Sequence, residues 1–276
     1  DVKWIVSKAV RESGRLILNA DDALLRQKAI EFDGELAWFS LDANSTFVRQ
    51  RIAAGELVFA LDDDQLQKID RDGVQAFCQS SEIPLTLGGR ARHNIANALA
   101  AAALTYCLGF SLATVREGLI NMRQQENPGR CNVYAVDACK VLVDFAHNPA
   151  AMQALFDMAE ALPAKRRVLC FGQAGDRPDG LIREMTRNAW AIGLDRVIVS
   201  ELADYHRGRA YGEVFAVMQD ELLACGARQD QIAHVEVELE ALNDALAWAG
   251  EGDLVIMLAL ASGSEIQARL KELGAT

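Results

Sequence analysis

From residue 140 onward the chain alternates short apolar runs with amphipathic stretches, and this regular beat restricts the fold more than any other feature. Residues 140–144, 167–172, 196–200 and 253–259 read as strands buried on both faces, and 234–237 as a shorter one. Helical spacing fills the gaps at 149–162, 181–192, 212–225, 240–249 and 264–273. Strands alternating with helices predict an α/β domain with a mostly parallel sheet covered on both faces. Ligands on such sheets sit beyond the carboxyl ends of the strands, so attention falls on the loops after Val143, Phe171, Val199 and Leu258.

The upstream part is less regular. Strands are expected at 15–20, 36–40, 57–60 and 74–77, the last two as short strands at a sheet margin on either side of the acidic, turn-rich 62–72. Residues 4–10, 94–108 and 112–122 read as helices. The polar segment 124–130 carries Pro128-Gly129 and sets a domain boundary, giving domains 1–126 and 127–276.

Bulk properties narrow the function. A net charge of −11 without any run of Lys and Arg argues against nucleic acid and anionic membranes as partners, leaving room for a local basic pocket. No apolar stretch reaches the ~20 residues needed to span a bilayer, and 95–112 reads as a buried helix. Six cysteines without a CxxC pair read as reduced, mostly buried thiols of a cytoplasmic protein. The chain opens at Asp1 with no Met, inside a helical pattern, as a fragment begins.

Three of the four loops are unusually polar. In Asp144-Phe145-Ala146-His147-Asn148-Pro149 a carboxylate ends a strand and an Asn-Pro pair opens a helix. Such an Asp can accept both ribose hydroxyls. Helix capping explains Asn148 and Pro149 equally well, but not Asp144 and His147. Gly172-Gln173-Ala174-Gly175-Asp176-Arg177-Pro178-Asp179 combines glycines with both signs of charge, and is otherwise an ordinary turn. In the segment from Glu201 to Arg209, Asp204 precedes Arg207-Gly208-Arg209, a pattern able to clamp carboxylate or phosphate, or simply a solvated loop. Together these loops predict one substrate site. Upstream, Asn94 and Asn97 stand three apart on one helix face, suited to reading a purine edge, with Asn94 as a plain N-cap the competing account. No His or Cys lies at metal-ligand spacing to His93.

His93-Asn94-x-x-Asn97-Ala-Leu-Ala-Ala resembles the Asn-containing helix of Mur ligases and folylpolyglutamate synthetases. Asn127-Pro128-Gly129-Arg130 is similar to the turn that begins their C-terminal domain, and 143–149 to their Asp-Tyr-Ala-His-Asn-Pro segment. Leu18-Asn19-Ala20-Asp21-Asp22, Trp38-Phe39-Ser40-Leu41-Asp42, the Gly-Asp-Arg loop and Arg207-Gly208-Arg209 look like one branch, the ligase half of cyanophycin synthetases. That branch usually lacks the His-Asn pair at 93–94 and has more acidic residues after Gly-Asp-Arg.

The resemblance implies the later part of a Mur-ligase central domain followed by a Rossmann-like C-terminal domain. It implies ADP-forming amide synthesis through an acyl phosphate, with ATP and Mg2+ as cofactors of the complete enzyme. An amino acid and a carboxylate acceptor would be the partners, and homo-oligomer formation stays open. Asn97 and Asn94 would contact adenine, and Arg130 and Asp144 the base and ribose. His147 and Asn148 would line the interdomain cleft. Asp176, Arg177, Asp204, Arg207 and Arg209 would receive the amino acid. No GxxxxGK[ST] occurs, so the phosphate-holding loop is absent from this sequence, no catalytic residue is assigned, and the chain alone is expected to be silent. A peptidoglycan Mur ligase, a folylpolyglutamate synthetase or a shortened, non-catalytic binding relative are the alternatives. A Rossmann oxidoreductase is disfavoured because no GxGxxG follows a strand.

Overall fold

The computed structural model describes residues 2–11, 14–137 and 139–275, and all but the side chains of 2, 3 and 125 among them; the opening Asp1 lies outside that set. It divides into two compact units, Asp1–Arg123 and Gln124–Thr276.

The first unit begins with a 3-10 run, Val2–Ala9, and β1 (Arg15–Asn19), followed by α1 (Ala23–Ala29), β2 (Glu35–Ser40) and α2 (Thr46–Ala53). Asp22 and Ser45 cap the two helices, accepting from the N–H groups of Leu24 and Leu25 and of Val48. Next come β3 (Leu57–Asp62), β4 (Gln65–Asp70), β5 (Gly73–Gln79), α3 (Arg92–Cys107) and α4 (Leu112–Asn121). The sheet order is β1-β2-β3-β4-β5, parallel through β3 and antiparallel beyond it.

Two expectations change here. The acidic stretch 62–72 contains a strand, β4, because Asp63 at φ 51 and Asp64 make a two-residue turn that lets the chain double back on β3. And β3 is the middle strand rather than a marginal one; its run of buried residues follows from pairing on both sides. One face packs on α3 and α4 through Phe59, Leu66, Leu99 and Val115, and the other on α1 and α2 through Leu18, Trp38, Val48 and Val58.

The second unit contains β6 (Asn132–Val136), β7 (Cys139–Asp144), α5 (Pro149–Ala161), β8 (Arg167–Phe171), α6 (Asp179–Trp190), β9 (Arg196–Ser200) and α7 (Glu213–Ala224). It continues with β10 (Ile232–Val235), α8 (Glu238–Trp248), β11 (Leu254–Leu258) and α9 (Gly263–Glu272). The order is β10-β9-β8-β11-β7-β6, parallel except for the antiparallel edge strand β6. Val141, Val168, Ile198 and Val255 pack with Leu242 of α8 and Ile266 of α9. Side chains alternate across a strand, so Leu142, Leu169, Val197 and Ile256 meet the opposite layer, where Phe156, Met185 and Met218 of α5, α6 and α7 are buried. The order in which strands are added reverses at β11, which returns from the far edge to lie between β8 and β7, parallel to both. That reversal opens the crevice in which α/β sheets hold ligands. Among the described residues no helix is long and apolar enough to cross a membrane.

Candidate functional site

The carboxyl ends of β7, β8, β9 and β11 deliver four loops to one cavity of about 170 Å³. Phe145 and His147 come from the first loop, Ala174 and Arg177 from the second, Leu202, Tyr205 and Arg207 from the third, and Leu260 from the fourth. The register places these ends level, with Leu258 opposite Asp144 and Phe171 opposite Val199.

The second and third loops are fastened together. The Gly175 N–H donates to the Tyr205 carbonyl at 2.8 Å. A Cβ on Gly175 would run into the His206 carbonyl oxygen, and one on Gly172 into that of Ser200, so both glycines are there for close approach. Arg209 spends its guanidinium on the same seam: Nε donates to the Gly175 carbonyl at 2.7 Å, and one terminal nitrogen to the Arg177 carbonyl at 2.8 Å and the Asp179 carboxylate at 2.6 Å. Arg207, itself left-handed at φ 46, reaches across to Asp176 at 2.6 Å and lies over the Tyr205 ring. The Arg207 hydrogen bond and charge hold the Asp176 carboxyl below its usual range.

Arg177 differs. Its donors go to the His147 carbonyl and, at 3.8 Å, to the Met185 sulfur, while its Nε is buried without a hydrogen-bond partner. No carboxylate among the described residues forms a salt bridge with it. A positioned guanidinium with no carboxylate hydrogen-bonded to it, though within the field of Asp176, therefore lines the cavity.

The remaining predicted residues take other places. Asn148 caps α5, accepting from the Ala151 N–H at 3.0 Å with Pro149 at the first helical position, as the capping account holds. Asp144 is buried, and its Oδ2 accepts from the Cys131 N–H at 2.8 Å and thiol at 3.2 Å. Burial, and then Asp144, push the Cys131 thiol up. Exposed Arg130 lies 5.4 Å from the centroid of the Phe145 ring, and the His147 Nδ1 is 3.0 Å from the Phe145 carbonyl. Asp204 is exposed on the 3-10 turn Ala203–Tyr205. In the first unit, Asn94 lies inside α3, whose N-cap is Ala91, so the N-cap account fails there. The buried Asn94 amide donates to the Leu85 carbonyl at 2.7 Å, and Asn97 donates to the Asn94 Oδ1 at 3.3 Å.

Sequence reasoning missed the carboxylates that hold the site from behind. Glu238, 1% exposed, accepts from the N–H groups of Leu260, Ala261 and Ser262 and so fixes the loop after β11. Burial pushes its carboxyl up, and those N–H groups pull the other way. Glu201 accepts from His234 at 2.8 Å and from the Gly212 N–H at 3.0 Å, securing the far end of the third loop. Their only sequence signal is an acidic residue at a strand end or helix start, too common to single out. The first unit has a larger cavity of about 610 Å³, but it lies at the amino ends of the parallel strands, and its Arg15, Glu35, Glu56 and Asp70 are already paired.

Among the described residues no protein-only site for a metal ion is built. No group of three or more His, Cys, Asp or Glu is placed to hold a metal, and Asn94 and Asp144 are tied into the fold.

Residues 129–260 match the family described as Mur ligase, glutamate ligase domain. The chain is 31% identical to the cyanophycin synthetase of Trichormus variabilis over 262 residues, covering 94% of this chain and 28% of the relative. It is 30% identical to that of Synechocystis over 261 residues, 93% of this chain and 29% of the relative. It thus spans less than a third of these relatives. In fold it is similar to the MurF ligase of Thermotoga maritima in complex with ADP, with a TM-score of 0.62 at 16% identity over 99% of this chain and 56% of that one. The folylpolyglutamate synthase of the same organism gives 0.57 at 18% identity, over 93% and 60%. These likenesses agree with a Rossmann-like arrangement for the C-terminal unit.

Proposed function

We propose that this chain, whose residues 129–260 belong to the Mur ligase family, supplies the amino-acid-receiving part of an ADP-forming amide ligase of the cyanophycin-synthetase kind. The reaction assigned to the complete enzyme first transfers the γ-phosphoryl group of ATP to a carboxylate, releasing ADP. The amine of an amino acid then attacks the acyl carbon, the carbon–oxygen bond to phosphate breaks, and the amine gives up a proton to leave an amide.

The observation that carries this reading is Arg177, a fixed guanidinium without a carboxylate partner, lining a small cavity where four loops converge. The α-carboxylate of an incoming amino acid is the natural complement: it opposes the positive charge and can accept from the terminal nitrogens of the guanidinium. Buried Leu202 and half-buried Leu260 lower the local polarity beside that contact and strengthen it. The pairing of Gly-Asp-Arg with Arg-Gly-Arg favours the cyanophycin branch over peptidoglycan ligases. The loops bearing them are the ones latched together by Arg209.

The chain alone is assigned no turnover, because nothing in its sequence cradles the phosphates. Two measurements on the 276-residue chain test the reading. Backbone chemical shifts at 145–147, 174–177, 202–207 and 260 are expected to move on titration with free L-amino acids, and to stay still in Arg177→Met. Phosphate release from MgATP with amino acids present is expected at background. Unmoved shifts with every amino acid, or ATP-dependent amide formation by this chain alone, would overturn it.

A further inference from the structure

Behind the third loop lies a cluster of one carboxylate and two imidazoles. Glu201, the first residue after β9, is 7% exposed, and among the described residues no Lys or Arg forms a salt bridge with it. Its Oε1 takes two donors, the His234 Nε2 at 2.8 Å and the Gly212 N–H at 3.0 Å. Its Oε2 faces the His206 Nε2 at 3.4 Å, and that nitrogen is buried without a hydrogen-bond partner. A buried acceptor and a buried ring nitrogen thus stand opposite each other with their bonding capacity unspent.

The surroundings attract a proton. His234 of β10 is stacked flat on Phe215 of α7 at 4.0 Å, and its ring lies 5.3 Å from that of Tyr211. Burial, and then the carboxylates of Glu236, Glu201 and Glu240, push the Tyr211 phenol up, so acidic groups from the end of β10, the third loop and α8 all act here. The cations of the loop are committed elsewhere, Arg207 to Asp176 and Arg209 to Gly175, Arg177 and Asp179. One added proton would set an imidazolium against a carboxylate that has no other cation.

The same residues reach the cavity. Glu201 joins the two ends of the loop through Gly212, and His206 stands at its middle between Tyr205 and Arg207, both of which line the cavity. The His206 carbonyl accepts from the Arg209 N–H at 3.0 Å, and the Tyr205 carbonyl from the Gly175 N–H at 2.8 Å. We infer that Glu201 and His206 form a proton-operated clasp on this loop. With His206 protonated, its Nε2 donates to Glu201, draws the middle of the loop onto its base and pins Tyr205 and Arg207. With His206 neutral, the loop keeps only its other bonds. The clasp therefore closes as pH falls through the range of about 8 to 5 in which imidazoles gain charge, and releases as pH rises.

The test is amide hydrogen exchange of the intact chain across that range, corrected for the pH dependence of exchange itself, with the His206 ring followed by NMR. Protection of the Gly175 and Arg209 N–H groups, which bond the carbonyls of the loop, is expected to rise about 10-fold toward low pH relative to β11, the scale of one charge-assisted hydrogen bond. The rise should track the titration of the His206 ring and vanish in His206→Gln, whose amide cannot gain charge. Flat protection in the parent, or the same rise in His206→Gln, would overturn the clasp. The parent titration needs no variant, so it decides the matter even where the variant does not fold. Because the readout is the loop and not a ligand, a failed clasp leaves the amino-acid reading of the cavity standing.

Discussion

At Gly175 the second and third loops touch backbone to backbone, and the chain has no room for even a methyl group there. Gly175→Ala is expected to cost about 1–3 kcal/mol in urea unfolding of the second unit, the scale of overpacking a tight contact. It should also weaken amino-acid binding, because Tyr205 and Ala174 flank the contact and line the cavity. A variant as stable as the parent would show that the seam yields easily. The residue types of these loops were legible in the sequence, and so was their gathering at one sheet edge. Their partners were not. Arg209 reads as a clamp for a ligand and turns out to bind the neighbouring loop, because a guanidinium chemically suited to a carboxylate is equally suited to a row of carbonyls. Arg177 looks the same on paper and differs in having no carboxylate bonded to it, which depends on where neighbouring strands bring their loops.

Elements were read well where apolar periodicity was long and poorly where it was short. The four inner parallel strands of the second sheet were expected from the sequence, since burial on both faces writes a continuous apolar run, whereas the edge strand β10, expected at 234–237, lies at Ile232–Val235. The opposite edge strand β6 was not expected, because Asn132-Val133-Tyr134-Ala135-Val136 follows the Pro-Gly turn and faces a neighbour on one side only. Helices α1 and α2, at 7 and 8 residues, span about two turns and leave too little pattern to detect. Between elements, α8 holds the loop after β11 through Glu238. Glu238→Gln puts an amide donor among three N–H donors and is expected to cost about 2–3 kcal/mol. Hydrogen exchange at Leu260, Ala261 and Ser262 should accelerate in that variant; unchanged protection there would mean that the loop is held by other contacts.

At the scale of the whole second unit, the end of the sheet opposite the cavity is tied by Asp253. It accepts from Arg166 at 2.5 Å and from the Gly250 N–H at 2.8 Å, and its main chain accepts from Lys140. Its hydrogen bond to Arg166 holds the carboxyl below its ordinary value of 3.8, so the folded state releases that proton more readily than the unfolded chain does. The resulting stabilisation is complete above that ordinary value and is lost as pH falls through the lower folded value. The stability gap between the parent and Asp253→Asn is therefore expected to be constant near neutrality and to shrink as pH falls through and below the ordinary carboxylate value of 3.8. A gap that stays constant across that range would refute it.

The division of labour around the cavity has a consequence for descent. The loops are held by Gly172, Gly175, Arg209 and Glu238, largely through main-chain atoms. The surfaces a ligand meets belong to Phe145, Leu202, Tyr205 and Leu260, none of which forms that frame with its side chain. Mutation can thus redraw the lining while the scaffold stays put. A lineage built this way can change its diet by a few substitutions without passing through an unfolded ancestor.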